Sequence, residues 1–583
     1  MLIQHDSPSL RQAFADIRKM HARSGREVTI FVSRNEVDSL SALKILTALL
    51  REHSVTFSVF PVAGYDDLYK REGQFSGSDE RALVFLNCGA TDDLCRALDL
   101  DQDGGARAWV IDCHRPISLD NMRDDNKVVR VICDQEDANE RLNLQELDAF
   151  EDSDSDSDSE GEGEQAHAAK RARREARASH YLRGNFFGRP CGSSIFELAK
   201  GQYKHDTDMV WHALVALEDH FLHDRMDGEE YQQYVQSMLD EVKSLESSKK
   251  ARQEVLEDGT RVRAADLDQI TESSELRLPM LRHWSLYESL MHSQYVATTL
   301  RTWTTPGQQK VDEMLARMGV PQAEAKQRYA HMSIDLKNKL GRALQETGDL
   351  YGLDEVVFTS FSRQMGYAAE VSASDVVEAA SAALELAPMD SQDGFNRALE
   401  VLSLKGCALE HGLSRAMQLH KAVMQQAGQV LLKKGCKSNG PFFLLDLEEF
   451  SDHDLLCHPL ALSRLAHFLL SYHQASASRN AHNSRMRFKP FIVIVPVPGS
   501  DPAEKLVMGL PPAPKGASKK SNKFELAFKE AFEQLPSVTY VAEGFDGSIV
   551  QIPTDALSRF LSHLKEVYWM IDDNNKNDED AEQ

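Results

Sequence analysis

Six residues stand out by type and position: Glu36, Asp38, Asn87, Asp112, His114 and Asp219. Carboxylates and a histidine are the side chains that hold divalent cations. Each follows an apolar run. Glu36 and Asp38 come after VTIFV at 28–32, Asn87 after ALVFL at 82–86, and the string DCHRP at 112–116 after AWVI at 108–111. Asp219 closes an apolar helical stripe that begins at Leu214. In an open parallel sheet, ligands and chemistry collect at the carboxyl ends of the strands. Taken singly, any of these residues, Asp38 above all, could be a hydrogen-bonded polar group at a strand end.

The elements that must position them are legible in the periodicity. Short apolar runs at 28–32, 56–62, 82–86, 108–111 and 128–132 are separated by helix-length segments, the first carrying Leu40, Leu43, Leu46, Leu49 and Leu50 at helical spacing. That alternation predicts an α/β fold with a parallel sheet covered on both faces. From about 196 to 350 the pattern is helical, with stripes through Trp211, Leu214, Val215 and Leu217 and through Leu281, Trp284, Leu286 and Leu290. Pro306-Gly307 and Gly319-Val320-Pro321 mark helix ends, and 241–268 is charged and reads as a mobile helix or loop. A second α/β region is predicted from runs at 355–361, 441–447 and 491–495, followed by amphipathic helices at 524–535 and 557–568.

Composition bounds the reading. A chain of 583 residues is too long for one core. The formal charge of -25 repels a nucleic-acid backbone, so any DNA contact must be local or arranged by partners. No apolar run is long enough to cross a bilayer, and residues 1–11 lack the pattern of a secretory signal, which predicts an intracellular protein with no membrane partner. Cys88, Cys95, Cys113, Cys133, Cys191, Cys407, Cys436 and Cys457 are widely spaced, without a CxxC pair, and read as reduced core thiols.

Residues 151–164 read EDSDSDSDSEGEGE, and KRARREAR follows at 170–177. Like charge without apolar residues cannot offset its ordering entropy, so 136–180 is predicted to be a disordered insertion. Lys170, Arg171, Arg173 and Arg174 form a candidate nuclear import signal, and Ser153, Ser155, Ser157 and Ser159, flanked by carboxylates, suit acid-directed kinases. Two further basic clusters are candidate phosphate contacts flanking a groove between the α/β domains: Arg479, Arg485, Arg487 and Lys489, and Lys515, Lys519, Lys520 and Lys523. Their bland reading is solvated loop charge.

The ordered set Glu36-Val37-Asp38, Asn87, Asp112-Cys113-His114 and Asp219 resembles the DxD, D, DHH and distal D motifs of the DHH phosphoesterase superfamily, which includes RecJ-type nucleases and inorganic pyrophosphatases. The resemblance implies a two-manganese site that activates water, with Asp38, Asp112, His114 and Asp219 on ligand positions. The pattern departs where charge matters most. Glu36 replaces the first Asp, neutral Asn87 replaces the Asp of the second motif, and Cys113 replaces the middle His. Arg34 and Arg115 add cations, which disfavours a second metal. The implied pocket is degenerate, with no catalytic residue, metal or cofactor; the alternative is an active manganese-dependent nuclease or phosphoesterase with altered ligands.

Further motifs narrow the resemblance. NCGA at 87–90, DCHRP at 112–116, HWSLYESL at 283–290, the stretch 303–321 ending in MGVP, ASDVVEA at 373–379 and NGPFFLLDL at 439–447 are similar to the cell division cycle protein 45 family. The likeness covers nearly the whole chain in order. It implies a DHH-type α/β domain over 1–135, completed by helices at 181–225, the insertion 136–180, a helical interdomain region 226–350, a DHHA1-like α/β domain 351–570 and an acidic tail 571–583. The glycine-histidine motif of active relatives is not visible; His411-Gly412 and Asn439-Gly440 lack its context. The implied role is a non-catalytic, nuclear subunit of the eukaryotic replicative helicase, with the minichromosome maintenance hexamer, GINS, replication initiation loading factors and single-stranded DNA as partners. No GxxxxGK[ST] string exists to supply ATP hydrolysis.

Overall fold

The computed structural model describes residues 2–123, 125–141, 177–250, 253–255, 258, 261–263, 268–365, 370–386, 392–404, 406–450, 454–478, 489–500, 503–512 and 521–581. The acidic-then-basic tract, with its serines and import-type cluster, lies outside them. The chain divides into two units: Met1–Arg34, Ala42–His205 and Lys519–Gln583 form the first, and Asn35–Ser41 and Asp206–Ser518 the second. No helix of the described residues is long and apolar enough to cross a membrane.

In the first unit, β1 (Leu2–Gln4), β2 (Val28–Ser33), β3 (Phe57–Val62), β4 (Arg81–Leu86), β5 (Ala106–Ile111) and β6 (Val129–Cys133) form one sheet in the order β1-β6-β5-β4-β2-β3. Every neighbouring pair is parallel. The strands are apolar almost throughout because both faces are covered. Phe31 of β2 is in register with Phe85 of β4, their rings stack at 4.8 Å, and Phe75 meets Phe31 edge-on at 5.7 Å. The edge strand β1, three residues long, is too short to leave a periodic signal and was not among the expected strands.

The helix Ser7–Ser24 shows why local sequence suffices for some elements. Asp6 caps it by accepting from the Ser9 amide at 2.7 Å, Pro8 sits in its first turn, and Gly25 ends it at φ 64. Its buried stripe, Leu10, Ala13, Phe14 and Ile17, has helical spacing. The chain's last segment belongs to this unit too: Phe532 stacks on Phe560 at 4.5 Å, joining the helices Phe524–Glu533 and Leu557–Ala581.

The second unit holds the helix Thr207–Leu222, capped by Asp206 and buried along most of its length, and a helical cluster around Leu286, Leu290, Val311, Met314 and Leu344. One element there departs from the helical expectation. Asp268–Leu276 is a strand, antiparallel to Val357–Met365 across nine residue pairs. DQITESSEL buries only Ile270 and Glu275 below a tenth exposure, so it lacks the apolar run by which its partner was recognised. A mixed sheet follows. Lys437–Asn439 pairs antiparallel with Phe442–Asp446, which runs parallel to Phe491–Pro496, itself antiparallel to Glu504–Leu510.

The two candidate glycine motifs have structural roles. A Cβ on Gly412 would come within 2.8 Å of the Ala379 carbonyl oxygen, so glycine lets the helix Ala408–Leu432 approach Ala373–Glu385 closely. Gly440 takes φ 66 in the two-residue turn before Phe442.

Candidate functional site

The register of β4 against β5, Leu86 opposite Ile111, sets Asn87 and Asp112 side by side at the carboxyl edge of the first unit's sheet. Asn87 is fully buried with φ 49, a conformation its short polar side chain tolerates. Its amide donates to the Ile111 carbonyl at 2.9 Å, and its side-chain oxygen accepts from the Cys113 amide at 3.3 Å. Asp112, 4 % exposed, is committed at both oxygens. Oδ1 accepts from the His114 amide at 3.0 Å and lies 2.7 Å from His114 Nδ1, while Oδ2 accepts from the Ala90 amide at 3.1 Å. Arg115 is pinned beneath this loop, donating to the Asp112 and His114 carbonyls at 2.8 and 3.0 Å and pairing with Asp137 at 2.9 Å.

A neutral amide where an anion would be needed, and a carboxylate already serving three protein donors, do not fit a binuclear cation centre, whose paired charges need several free carboxylates. No hydrolytic step is therefore derived for these residues. Their hydrogen bonds fix the loop after β5. His114→Ala should accordingly lower the free energy of unfolding by about 1–3 kcal/mol by stripping a buried carboxylate of one partner. Urea denaturation measures this, and an unchanged midpoint would show that the imidazole does not hold the loop.

The other sequence-predicted residues fall in the second unit. Glu36 is buried, and its carbonyl accepts from Ser39 Oγ at 2.8 Å. Asp38 stands in the first turn of the helix Val37–Glu52 with its amide donating to Asp219 Oδ2 at 3.2 Å and its own Oδ2 3.1 Å from His220 Nε2. Asp219 also contacts His223 Nδ1 at 2.8 Å and Arg225 at 3.2 Å. Burial works to raise the Asp219 carboxyl, but the His223 imidazole and then the Arg225 guanidinium hold it well below the ordinary carboxylate range. Arg225 already supplies the counter-charge that a cation would bring.

His220, His223 and Arg225 were not among the residues expected at the site. The signal was present in DHFLH at 219–223: on a helix, positions i and i+4 share a face, which brings His223 onto Asp219. Arg464 had no such signal. Its guanidinium reaches His223 Nε2 at 3.1 Å, Glu378 at 2.9 Å and Glu385 at 3.2 Å, and Glu378 also meets His420 at 3.1 Å. Arginine can only donate, so Nε2 of His223 accepts and its Nδ1–H faces Asp219.

Of the basic clusters, only Lys489 and Lys523 lie among the described residues. Lys489 donates to Ser438 Oγ at 2.9 Å and to the Gly440 carbonyl at 3.0 Å. Lys523 directly precedes the helix Phe524–Glu533. Arg479, Arg485, Arg487, Lys515, Lys519 and Lys520 lie outside them. Cys88, Cys113, Cys133, Cys191 and Cys457 are buried, and Cys407 is exposed.

The CDC45 family profile matches residues 28–175, 160–394 and 388–567. The cell division control protein 45 homologue of Mus musculus is 29% identical over 567 residues, covering 92% of this chain and 96% of that protein. The homologue of Schizosaccharomyces pombe is 28% identical, covering 95% and 98%. Among solved structures, CDC45 from Entamoeba histolytica superposes with a TM-score of 0.69 at 21% identity, over 97% of this chain and all of the other.

Proposed function

Because the chain belongs to the CDC45 family, we propose that it is a non-catalytic subunit of the eukaryotic replicative helicase, acting in the nucleus with the minichromosome maintenance hexamer and GINS. In this reading the α/β region meets GINS, the helical region 226–350 meets the hexamer, and loading factors bring them together at initiation. The family match supports the assembly role, since it runs through both units instead of stopping at one. The observation that carries the non-catalytic part is that neutral Asn87 stands beside an Asp112 whose two oxygens already face protein donors. The sequence offers no Walker-type loop, so the hexamer supplies the ATPase motor.

The basic clusters that include Lys489 and Lys523 are proposed as phosphate contacts to single-stranded DNA, the rest of the acidic surface being repulsive. One preparation tests both parts. The purified chain should co-elute with the hexamer and GINS in size-exclusion chromatography, and should bind single-stranded DNA in a salt-dependent way without cutting it in manganese. Failure to co-assemble would remove the helicase reading. Cleavage that disappears in Asp38→Ala would establish an active phosphoesterase instead.

A further inference from the structure

A cavity of about 540 Å³ lies wholly within the second unit, between the end of the strand Asp268–Leu276 and the helix Ala373–Glu385. That volume is in the range of ligand sites. Its wall carries Asp224, Glu275, Asp375 and Glu378 against Arg277, Arg282 and Arg464. Each of the three arginines already has a carboxylate partner, Arg277 reaching the exposed Glu355 at 3.4 Å. Arg282 is held by both oxygens of Glu275 at 2.8 and 2.6 Å, and Arg464 by Glu378 and Glu385.

Asp375 is not matched in this way. It is 4 % exposed, and its Oδ2 is buried yet accepts no hydrogen bond. The nearest cationic groups are His283 Nε2 at 3.2 Å, a charge only when protonated, and the Glu275-bound Arg282 at 3.9 Å. A buried carboxylate oxygen without a donor calls for one from outside.

Arg277 lies over the rings of Phe221 and Tyr295 at 5.7 and 5.4 Å, so these faces already hold a guanidinium. The Arg277 Nε–H is itself buried without an acceptor, so a ligand that brings a carbonyl oxygen beside its cation would satisfy both orphans. A peptide does that. Moreover, Asp268–Leu276 is an edge strand of its three-stranded sheet, pairing on its other side with no strand among the described residues, and Ser274, Glu275 and Leu276 line the cavity. An extended peptide can add along such an edge while one side chain fills the adjoining socket.

We propose that this cavity is a socket for an arginine or lysine side chain carried by an extended peptide of a partner protein, its cation hydrogen-bonded to Asp375. The proposal does not depend on the helicase reading, since it names only the chemistry of the bound segment.

The test titrates the full chain with acetyl-Gly-Arg-Gly amide, and with the Gln and Glu versions of the same peptide, followed by saturation-transfer NMR. The arginine peptide should bind at least about tenfold more tightly than either of the others. In Asp375→Asn that preference should disappear. Where Asp375→Asn does not fold, Asp224→Asn at the rim, half exposed in its side chain, should still weaken the arginine peptide while leaving the glutamine peptide unchanged. Equal binding of all three peptides, preference for glutamate, undetectable binding of the arginine peptide at millimolar concentration, or full retention in a folded Asp375→Asn would each overturn the socket.

Discussion

Arg464→Met should lower the free energy of unfolding by about 3–5 kcal/mol, because it leaves two buried carboxylates with no fixed cation. Glu378 and Glu385 lie on one face of the helix Ala373–Glu385 and share that single guanidinium. Burial pushes both carboxyls up. For Glu378, Arg464 and His420 more than offset burial and hold the group far below its ordinary value; for Glu385 burial wins and the group stays raised. The sign of the pH dependence follows for each. The stabilisation from Glu378 is present above its ordinary carboxyl range and is lost as the pH falls through its depressed value. That from Glu385 is present at low pH and is lost as the pH rises through its elevated value. Chemical denaturation at neutral pH measures the loss in Arg464→Met. The triple variant with Glu378→Gln and Glu385→Gln should recover much of it, since removing every charge also removes the desolvation cost. If the single variant were as stable as the parent, the network would be incidental to the fold.

Glu218→Gln is expected to act in the opposite direction. Glu218 is 1 % exposed and receives Ser360 Oγ at 2.8 Å and Ser374 Oγ. Tyr231 Oη lies 2.6 Å from its Oε2 and 2.9 Å from the Thr359 carbonyl. Tyr231 has one proton to give, so both contacts are satisfied when Glu218 is protonated and donates to the phenol. Burial raises the Glu218 carboxyl from 4.5 to about 7, against the pull of the three hydroxyls. The folded chain therefore binds this proton more tightly than the unfolded chain. Its contribution is fully present below 4.5 and lost as the pH rises through about 7. Glutamine imitates the protonated form at every pH. Above neutrality, Glu218→Gln should be more stable than the parent by up to about 3 kcal/mol, and the fall in stability between the two values should flatten. A parent and variant with parallel stability–pH curves would show that Glu218 is not neutralised by folding.

Both effects depend on groups whose partners are remote in the chain. Arg464 and His223 are 241 residues apart, and nothing in either neighbourhood names the other. Asp219 and Asp38, by contrast, were visible from sequence because Asp219 closes an apolar stripe and Asp38 follows an apolar run, and hydrophobic periodicity is a local property. The strand Asp268–Leu276 shows the same division from the other side. With few apolar residues of its own, it becomes a strand only by pairing with Val357–Met365, which is apolar enough to be recognised alone.

The parallel sheet and the chain order of the six candidate residues are legible in the sequence alone, because residue type, period and position are local properties. Packing alone sets the two Asp112 oxygens against protein donors, balances Asp219 with His223 and Arg225, buries Glu218 among hydroxyls and leaves Asp375 Oδ2 with ion-pair neighbours but no hydrogen bond. The reason is distance. A hydrogen bond exists only within about 3 Å, and which groups come that close is fixed by the packing of helices and strands far apart in the chain.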